Sequence, residues 1–180
     1  MKKIVSIVLA GLARSGKDTA ADFLVKKFKF KKYVMSDFIK EELKKKRLPQ
    51  TKEMLSFYGD KLRKWKGMDA VAKMVYRKIG KKRNCIITGA RSPEEIEFFK
   101  KKLSNVFVVA VNAPLQKRFK RQQAIKRINL RKFRERDERD KKKKGLNKAI
   151  NKADFVLQNN STKKVLQQKI LELMEKIYKE

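Results

Sequence analysis

Short apolar runs alternate along the chain with stretches in which apolar residues recur at helical spacing. The stretch that begins at Lys17 carries Ala20, Leu24 and Phe28 on one helical face, and a closing amphipathic helix begins near Val165. The apolar runs predict five strands: Ile4–Leu9, Tyr33–Met35, Cys85–Thr88, Val106–Val111 and Phe155–Leu157. Five short strands separated by helices predict an α/β fold, with a parallel sheet covered by helices on both faces.

Capping residues place several helix boundaries. Ser36 is a plausible N-cap for a helix that runs towards Arg47, and Thr51 and Met68 begin two further helical stretches. Ser92-Pro93-Glu94-Glu95 combines an N-cap, a proline at the first helical position and a capping-box Glu. A long basic helical region then follows Pro114.

The composition restricts the available chemistry. At 180 residues the chain has the size of one ordinary domain, so we expect a single domain over residues 1–180. It contains no histidine and one cysteine, which excludes imidazole catalysis, Cys/His zinc sites and intrachain disulfides. Any chemistry must therefore use carboxylates, lysine, arginine, hydroxyls and backbone amides.

The N-terminus imitates a secretory signal, because Met1-Lys2-Lys3 precedes the apolar stretch Ile4 to Ala13. If this segment were a cleaved secretory signal, the glycine-rich loop that follows would lose its place after a first strand. The lone Cys85 also gives no support for an oxidising compartment. No apolar run approaches the roughly 20 residues of a membrane-spanning helix. We therefore expect a cytoplasmic protein without a membrane partner.

The net charge of +32 favours phosphate polyanions as partners. Lysines nevertheless occur along nearly the whole chain, as in Lys81-Lys82-Arg83, so solvated helix faces explain much of the charge equally well. The exception is the crowded stretch Lys120 to Lys144, which is the candidate surface for RNA or another polyanion.

The strongest signal is a glycine-rich loop between the first strand and the first helix. The sequence Gly11-Leu12-Ala13-Arg14-Ser15-Gly16-Lys17 has the spacing of a Walker A phosphate-binding loop. Its backbone amides and the helix N-terminus suit phosphate oxygens, and Lys17 suits the outer phosphates and catalysis. The predicted nucleotide-binding residues are Gly11, Ala13, Arg14, Ser15, Gly16, Lys17, Asp18 and Thr19.

Asp18 stands where Ser or Thr normally binds magnesium in this motif. A carboxylate beside a triphosphate is repulsive unless a cation lies between them, so we interpret Asp18 as a direct or water-mediated Mg²⁺ ligand, with Thr19 as the alternative hydroxyl. A favourable charge in the first helical turn explains Asp18 without a metal.

With these residues in view, the chain resembles the P-loop nucleoside-phosphate kinases. Within that superfamily it is most similar to the dephospho-coenzyme A kinase-related proteins, through SDFIKEEL, GMDAVAK, ITGARSPEE and ERDERD. The GKDT form of the loop is similar to that of deoxynucleoside monophosphate kinases. The resemblance implies a five-stranded P-loop NTPase domain with a mobile lid, and transfer from ATP with Mg²⁺ to a small phosphorylated acceptor.

The resemblance also implies an acceptor side over about residues 36–80. Ser36 and Asp37 match the start of the acceptor helix, where Asp37 would orient an acceptor hydroxyl or a magnesium-bound water; a Ser cap and an acidic first turn explain them too. Arg63 matches the clamp on the acceptor's phosphate, and Arg91 lies beyond a strand end where α/β sheets bind phosphates. Thr88 departs from the family, in which an Asp commonly ends this strand.

The resemblance assigns the lid to about residues 118–145. Arg127 and Arg136 are the predicted catalytic arginines, which would neutralise charge on the transferring phosphoryl group. Asn160 follows the last strand, where related kinases contact adenine; a turn at Asn160 with a cap at Ser161 explains the same residues without a ligand.

The sequence therefore predicts a kinase whose acceptor is a nucleoside or deoxynucleoside monophosphate, with dephospho-coenzyme A second. Two alternatives remain: an RNA- or ribosome-associated P-loop NTPase that binds through the basic segment, and a nucleotide-binding protein with little catalysis, which Thr88 keeps open.

Overall fold

The computed structural model describes residues 4–80, 84–143 and 145–179. The predicted basic cluster Lys81-Lys82-Arg83, the residue Lys144 and the N-terminal Met1-Lys2-Lys3 lie outside the described residues. The described strands are β1 Ser6–Ala10, β2 Lys31–Val34, β3 Cys85–Thr88, β4 Val106–Asn112 and β5 Phe155–Gln158. The described helices are α1 Lys17–Phe28, α2 Met35–Lys45, α3 Lys52–Lys66, α4 Ala70–Ile79, α5 Pro93–Lys102, α6 Leu115–Gln123, α7 Leu130–Lys143, α8 Leu146–Asn151 and α9 Lys163–Lys179.

The strands form one parallel sheet in the order β2-β3-β1-β4-β5. Alternate residues of β1 serve opposite faces: Ile7 and Leu9 pack with α1 and α9, whereas Val8 packs with α2, α4 and α5. Burial on both faces explains why β1 and β3 are apolar throughout apart from Ser6 and Thr88. The predicted α/β fold with its covered parallel sheet is confirmed.

The structure moves several helix boundaries. Helix α2 begins at Met35 with Val34 as its cap, so Ser36 lies inside the first turn and the prediction that it caps the helix is wrong. Thr51 lies at the start of α3, as predicted, and caps the helix with a hydroxyl that accepts from Met54 N at 3.2 Å. Asp69, rather than Met68, precedes α4.

Two other caps differ from the sequence interpretation. Thr162, and not Ser161, accepts a hydrogen bond from Val165 N, at 3.3 Å. Ser92 accepts from Glu95 N at 3.3 Å, which is half of the predicted capping box. The other half does not form, because the Glu95 carboxylate is bonded to Arg63 and to the Arg91 amide instead.

Because all five strands are parallel, their carboxyl ends share one edge of the sheet. Gly11 follows β1 at this edge, Gly89 follows β3, Ala113 follows β4 and Asn159 follows β5. The predicted loop residues are therefore brought together by the sheet itself. None of the helices in the described ranges has the length and apolar character that crossing a bilayer requires.

Candidate nucleotide and acceptor site

The glycine-rich loop has a backbone that only glycine accommodates at its ends. Gly16 precedes α1 with a left-handed φ of 104°, and an added Cβ there would overlap the Asn159 side chain. At Gly11 an added Cβ would lie 2.6 Å from the Val111 carbonyl oxygen. Arg14 is also left-handed, with φ 63°. The loop thus coils tightly at the N-terminus of α1, where its amides and the helix dipole favour an anion.

The loop's carbonyls are held by side chains from other elements. Asn159 Nδ2 donates to Ser15 O at 2.7 Å, and Arg121 Nη1 donates to Arg14 O and Ser15 O at 3.1 and 3.2 Å. Arg118 Nη1 donates to Ala13 O at 3.2 Å. Side chains from α6 and from the segment after β5 therefore satisfy the carbonyls of Ala13, Arg14 and Ser15, which fixes the backbone of the loop.

Arg14 is itself held at this position, because its Nε donates to Gln122 Oε1 at 2.9 Å. Sequence reasoning missed the bracing by Asn159, Arg118 and Arg121. It named Asn160 instead of its neighbour and assigned the arginines of α6 to a lid, and no motif in the chain marks a side chain that binds a loop from behind.

Lys17 is four-fifths buried, with 18 % of its side chain exposed. Burial lowers the pKa of its ammonium; the nearby cations Arg91 and Arg136 lower it further, while Asp18 and Asp140 oppose the shift. Asp18 Oδ2 lies 4.0 Å from Lys17 Nζ, and 65 % of its side chain is exposed. A buried cation whose charge is disfavoured is poised to gain energy from an arriving phosphate.

A cavity of about 200 Å³ extends from Lys17 and Asp18 towards α2 and α3. It brings five of the predicted residues together, with Thr88 at its base: Lys17, Asp18, Ser36, Arg63 and Arg91. Thr88 is 1 % exposed and its Oγ1 has no hydrogen-bond partner within the described residues. A buried hydroxyl without a partner at the end of a parallel strand is typical of a place prepared for a ligand or an ordered water.

The wall of this cavity depends on Glu95, which sequence reasoning treated as a cap. Arg63 Nε and Nη2 donate to Glu95 Oε1 at 3.0 and 2.7 Å, and Arg91 N donates to Glu95 Oε2 at 2.8 Å. Glu95 is 0 % exposed and Arg63 is 7 % exposed. One carboxylate therefore fixes the guanidinium of Arg63 and the backbone at Arg91. Arg63 lines the cavity with a partner already bound, which the sequence did not anticipate.

Helix α7 carries two buried carboxylates that tie it to the site. Asp137 Oδ2 accepts from Arg118 Nη2 at 2.6 Å, and Asp140 Oδ1 lies 3.5 Å from Arg91 Nη1. Arg136 is partly buried beside them. Burial lowers its pKa, Asp140 opposes the shift, and the nearby cations Arg91 and Arg14 add to it. The structure thus brings Arg136 to the loop, whereas Arg127 is exposed between α6 and α7.

The remaining predicted residues lie at the margin of the site. Asp37 is half exposed and pairs with Lys40 at 2.6 Å, and Thr19 is partly buried in the first turn of α1. Asn160 is exposed; its carbonyl accepts a hydrogen bond from Lys117. Asn160 lines a second cavity, of about 280 Å³, on the other side of the loop with Leu12, Ser15, Pro114 and Gln158.

The chemistry of the donors limits how a metal could be held. Within the described part of the chain no cluster of three His, Cys, Asp or Glu residues has metal-ligand geometry. Mg²⁺ nevertheless suits a site with one or two carboxylates, water and substrate phosphates. The exposed Asp18 beside Lys17 fits such a shared site, and an all-protein cage does not.

Comparison with known proteins gives a family and a fold. A family model described as deoxynucleotide monophosphate kinase matches residues 5–74. A UPF0200 protein of Pyrococcus horikoshii is 33% identical over 95% of this chain and 96% of its own length. A UPF0200 protein of Sulfurisphaera tokodaii is 33% identical over 98% of this chain and 99% of its own length. A UPF0200/UPF0201 protein of Archaeoglobus fulgidus is 32% identical over 96% of this chain, which spans 56% of that protein.

Solved structures agree with the topology. Shikimate kinase from Bacteroides thetaiotaomicron superimposes with a TM-score of 0.66 at 14% identity, over 96% of this chain and 99% of its own. A gluconokinase from Sinorhizobium meliloti gives a TM-score of 0.61 at 10% identity, over 99% of this chain and 98% of its own. These likenesses confirm the predicted fold of P-loop kinases.

Proposed function

This chain belongs to the UPF0200 family, and from that premise we propose that it is an ATP-dependent kinase that phosphorylates a small, already phosphorylated acceptor. The match to the deoxynucleotide monophosphate kinase model and the kinase fold support a nucleotide-kinase-like enzyme. We propose a nucleoside or deoxynucleoside monophosphate as the acceptor, with dephospho-coenzyme A second. The acceptor side corresponds to about residues 36–80 and the lid to about residues 118–145.

The observation that carries the proposal is the cavity that joins the phosphate loop to a buried arginine wall. Lys17 and Asp18 line the same cavity as Arg63 and Arg91. A phosphorylated acceptor needs cations for its own phosphate and a second set for the phosphoryl group that it receives. This cavity offers both sets within a volume of about 200 Å³.

ATP would occupy the opposite side of the loop. The second cavity supplies apolar surface from Leu12 and Pro114 and polar groups from Gln158 and Asn160, which suit a purine ring. The phosphates would then follow the loop amides towards Lys17. In this arrangement the γ-phosphoryl group is directed at the cavity that holds the acceptor, as in-line transfer requires.

Each residue of the site then has a defined task. Lys17 and Arg136 stabilise charge on the transferring phosphoryl group, and Arg91 contacts the acceptor's phosphate beside Arg63. Asp18 would hold Mg²⁺ together with the nucleotide phosphates, and the metal would supply charge neutralisation. Asp37, which lies next to the cavity residue Ser36, would orient the acceptor. Helix α7 covers the loop and excludes water.

The test is ADP formation from magnesium-ATP with a panel of nucleoside monophosphates, deoxynucleoside monophosphates, dephospho-coenzyme A and structured RNA. We expect one monophosphate class to stimulate turnover, and Lys17→Ala to lower the stimulated rate by at least about 10²-fold. Lys26→Ala is the matched control, because Lys26 is an exposed lysine in the last turn of the same helix. Stimulation by RNA alone, or ADP formation that no acceptor stimulates, would contradict the proposal.

A further inference from the structure

Four of the eight exposed large hydrophobic side chains among the described residues lie in one stretch, residues 48–68. They are Leu48, Phe57, Trp65 and Met68. Phe57 is 63% exposed and Trp65 is 68% exposed, and both belong to α3. Two aromatic rings exposed to this degree on one helix are candidates for an interaction surface.

The two rings share one side of α3 and are interleaved with charge. They are eight residues apart, which corresponds to about 12 Å along a helix and about 80° around it, so both lie within about a quarter of its circumference. Lys61 lies between them, and its Nζ is 4.2 Å from the centre of the Trp65 ring. Lys64 and Lys66 are exposed beside Trp65, and the run Lys44-Lys45-Lys46-Arg47 precedes α3 by one short loop.

We propose that this surface, the α3 face formed by Phe57, Lys61, Lys64 and Trp65, binds single-stranded nucleic acid. Bases would stack on the two rings, and lysines would pair with the phosphates. This combination of separated aromatic platforms and cations is what binding without sequence preference uses. The rise of about 12 Å along α3 between the two residues corresponds to a few nucleotide steps.

Two other occupants fit the surface less well. A second copy of the chain would bring a further +32 of like charge to a face that already carries lysines. A bilayer would have to take up the charged residues between the rings, including Asp60, whose side chain is 51% exposed. A polyanion with aromatic bases satisfies the rings and the lysines together.

The basic segment of α6 and α7 is the weaker candidate for this role. Arg118 and Arg121 donate to the carbonyls of the phosphate loop, and Asp137 and Asp140 offset cations there. Some of the arginines that the sequence assigned to polyanion binding therefore already bind carbonyls and carboxylates within the protein. The rings of the α3 face are exposed, and the four residues of this face are not among those that line the cavity, to which the same helix contributes Leu55, Ser56 and Arg63.

Trp65 makes the proposal directly measurable, because it is the only tryptophan of the chain. The full chain is titrated with twelve-nucleotide oligouridine and oligothymidine near physiological salt, and tryptophan emission is followed. We expect both oligonucleotides to quench the emission, and heparin, which has charge without bases, to leave it unchanged. A higher affinity for oligouridine than for oligothymidine would identify RNA as the natural ligand. Equal quenching by heparin would overturn the proposal.

Variants locate the site through the anisotropy of a labelled oligouridine. Phe57→Ala and Trp65→Ala should each weaken binding by about 5-fold or more, since stacking on one ring contributes roughly 1–3 kcal/mol. Ile125→Ala is the matched control, because Ile125 is 66% exposed in the basic α6–α7 segment. Equal losses in all three variants, or a loss only in Ile125→Ala, would overturn the proposal in favour of the basic segment.

The competing occupants give distinct results in the same protein. A shift of tryptophan emission with protein concentration, accompanied by dimer sedimentation, would assign the face to a second copy. A blue shift on vesicles of phosphatidylglycerol without quenching by oligonucleotides would assign it to a lipid surface. Either result overturns the proposal. None of these binding measurements depends on ADP formation. A negative result for the α3 face therefore leaves the proposed kinase activity untouched, and a negative kinase assay leaves the α3 face untouched.

Discussion

Two buried arginine–carboxylate pairs lie on opposite sides of the phosphate loop. Arg63 pairs with Glu95 at 2.7 Å on the cavity side, and Arg118 pairs with Asp137 at 2.6 Å beneath α7. Both oxygens of Glu95 accept hydrogen bonds, whereas Oδ1 of Asp137 has no partner within the described residues. The pairs are alike in distance and burial, and they differ in how completely their surroundings satisfy them.

The difference separates two parts of the site: the cavity wall formed by Arg63 and Glu95, which we call the fixed wall, and helix α7, which we call the cover. Glu95 joins α3 to the start of α5, which packs directly on the sheet. Asp137 belongs to α7 and reaches an arginine that also donates to Ala13 O and Ala113 O. Arg118 would therefore keep two carbonyl acceptors if α7 moved away, whereas among the described residues the carboxylate left to Arg63 without Glu95 would be Asp60, at 3.6 Å. Helix α7 can therefore move away while Arg118 keeps hydrogen-bond acceptors, and a further contact that would be lost is the one between Arg91 and Asp140.

The largest expected effect is on stability. Glu95→Gln should lower the free energy of unfolding by about 3–5 kcal/mol, because the buried Arg63 guanidinium then keeps only the more distant, half-exposed carboxylate of Asp60 among the ion-pair partners in the described residues. Asp137→Asn should cost about 1–2 kcal/mol, because Arg118 keeps its carbonyl acceptors. Urea unfolding of both variants measures the difference. Equal losses would show that the two pairs play the same structural role.

Arginine substitutions on the cover test which of its cations reaches the reacting group. Arg136→Ala should lower kcat by about 10²-fold with a smaller effect on KM for ATP, because the charge it meets develops during transfer. Arg127→Ala is the comparison, since Arg127 is exposed, and we expect the smaller effect there. Steady-state kinetics with the best acceptor decide this. If Arg127→Ala gave the larger loss in kcat, a different position of the cover would be the active one.

The carboxylate at Asp18 and the hydroxyl at Thr88 test how the metal is held beside the fixed wall. Asp18→Asn should raise the Mg²⁺ concentration for half-maximal turnover by about 10-fold, since one charged ligand is lost. Thr88→Asp should restore activity in an Asp18→Ser background, because it returns a carboxylate to the other side of the site. Turnover against Mg²⁺ for the two single variants and the double variant gives the coupling. If the effects of the two single variants simply added in the double variant, Asp18 would be only a favourable charge in the first turn of α1 and not a metal ligand.

The smallest expected effect concerns Lys17, which lies between the two regions. Its pKa is lowered by burial, so the charged side chain destabilises the free protein at neutral pH, and stability should rise as pH increases from the lowered pKa towards the ordinary value. Lys17→Met should therefore raise Tm by about 2 °C or more, corresponding to roughly 1 kcal/mol. The gap between the two proteins should narrow at alkaline pH. A lower Tm in the variant would contradict this.

The loop and the sheet were predictable because their signals are local. Gly11 and Gly16 are required by backbone conformations within a few residues, and the apolar runs of β1, β3 and β4 reflect burial on both faces. Lys17, Asp18 and Arg91 could be named as candidate site residues for the same reason, since each lies next to a strand end or a helix start. Boundaries were less accurate: Ser36 entered α2 because the chain turns into the helix directly from β2.

Tertiary structure alone decided which partners the charged residues found. Composition and periodicity gave Glu95 a place at a helix start, but its bond to Arg63 joins residues 32 positions apart. Arg118 reaches Ala13 across 105 positions, and Asn159 reaches Ser15 across 144. A sequence determines local conformation and the side of an element that is buried, because both depend on neighbouring residues. The pairing of buried charges depends on how distant elements pack, and no spacing in the chain encodes that distance.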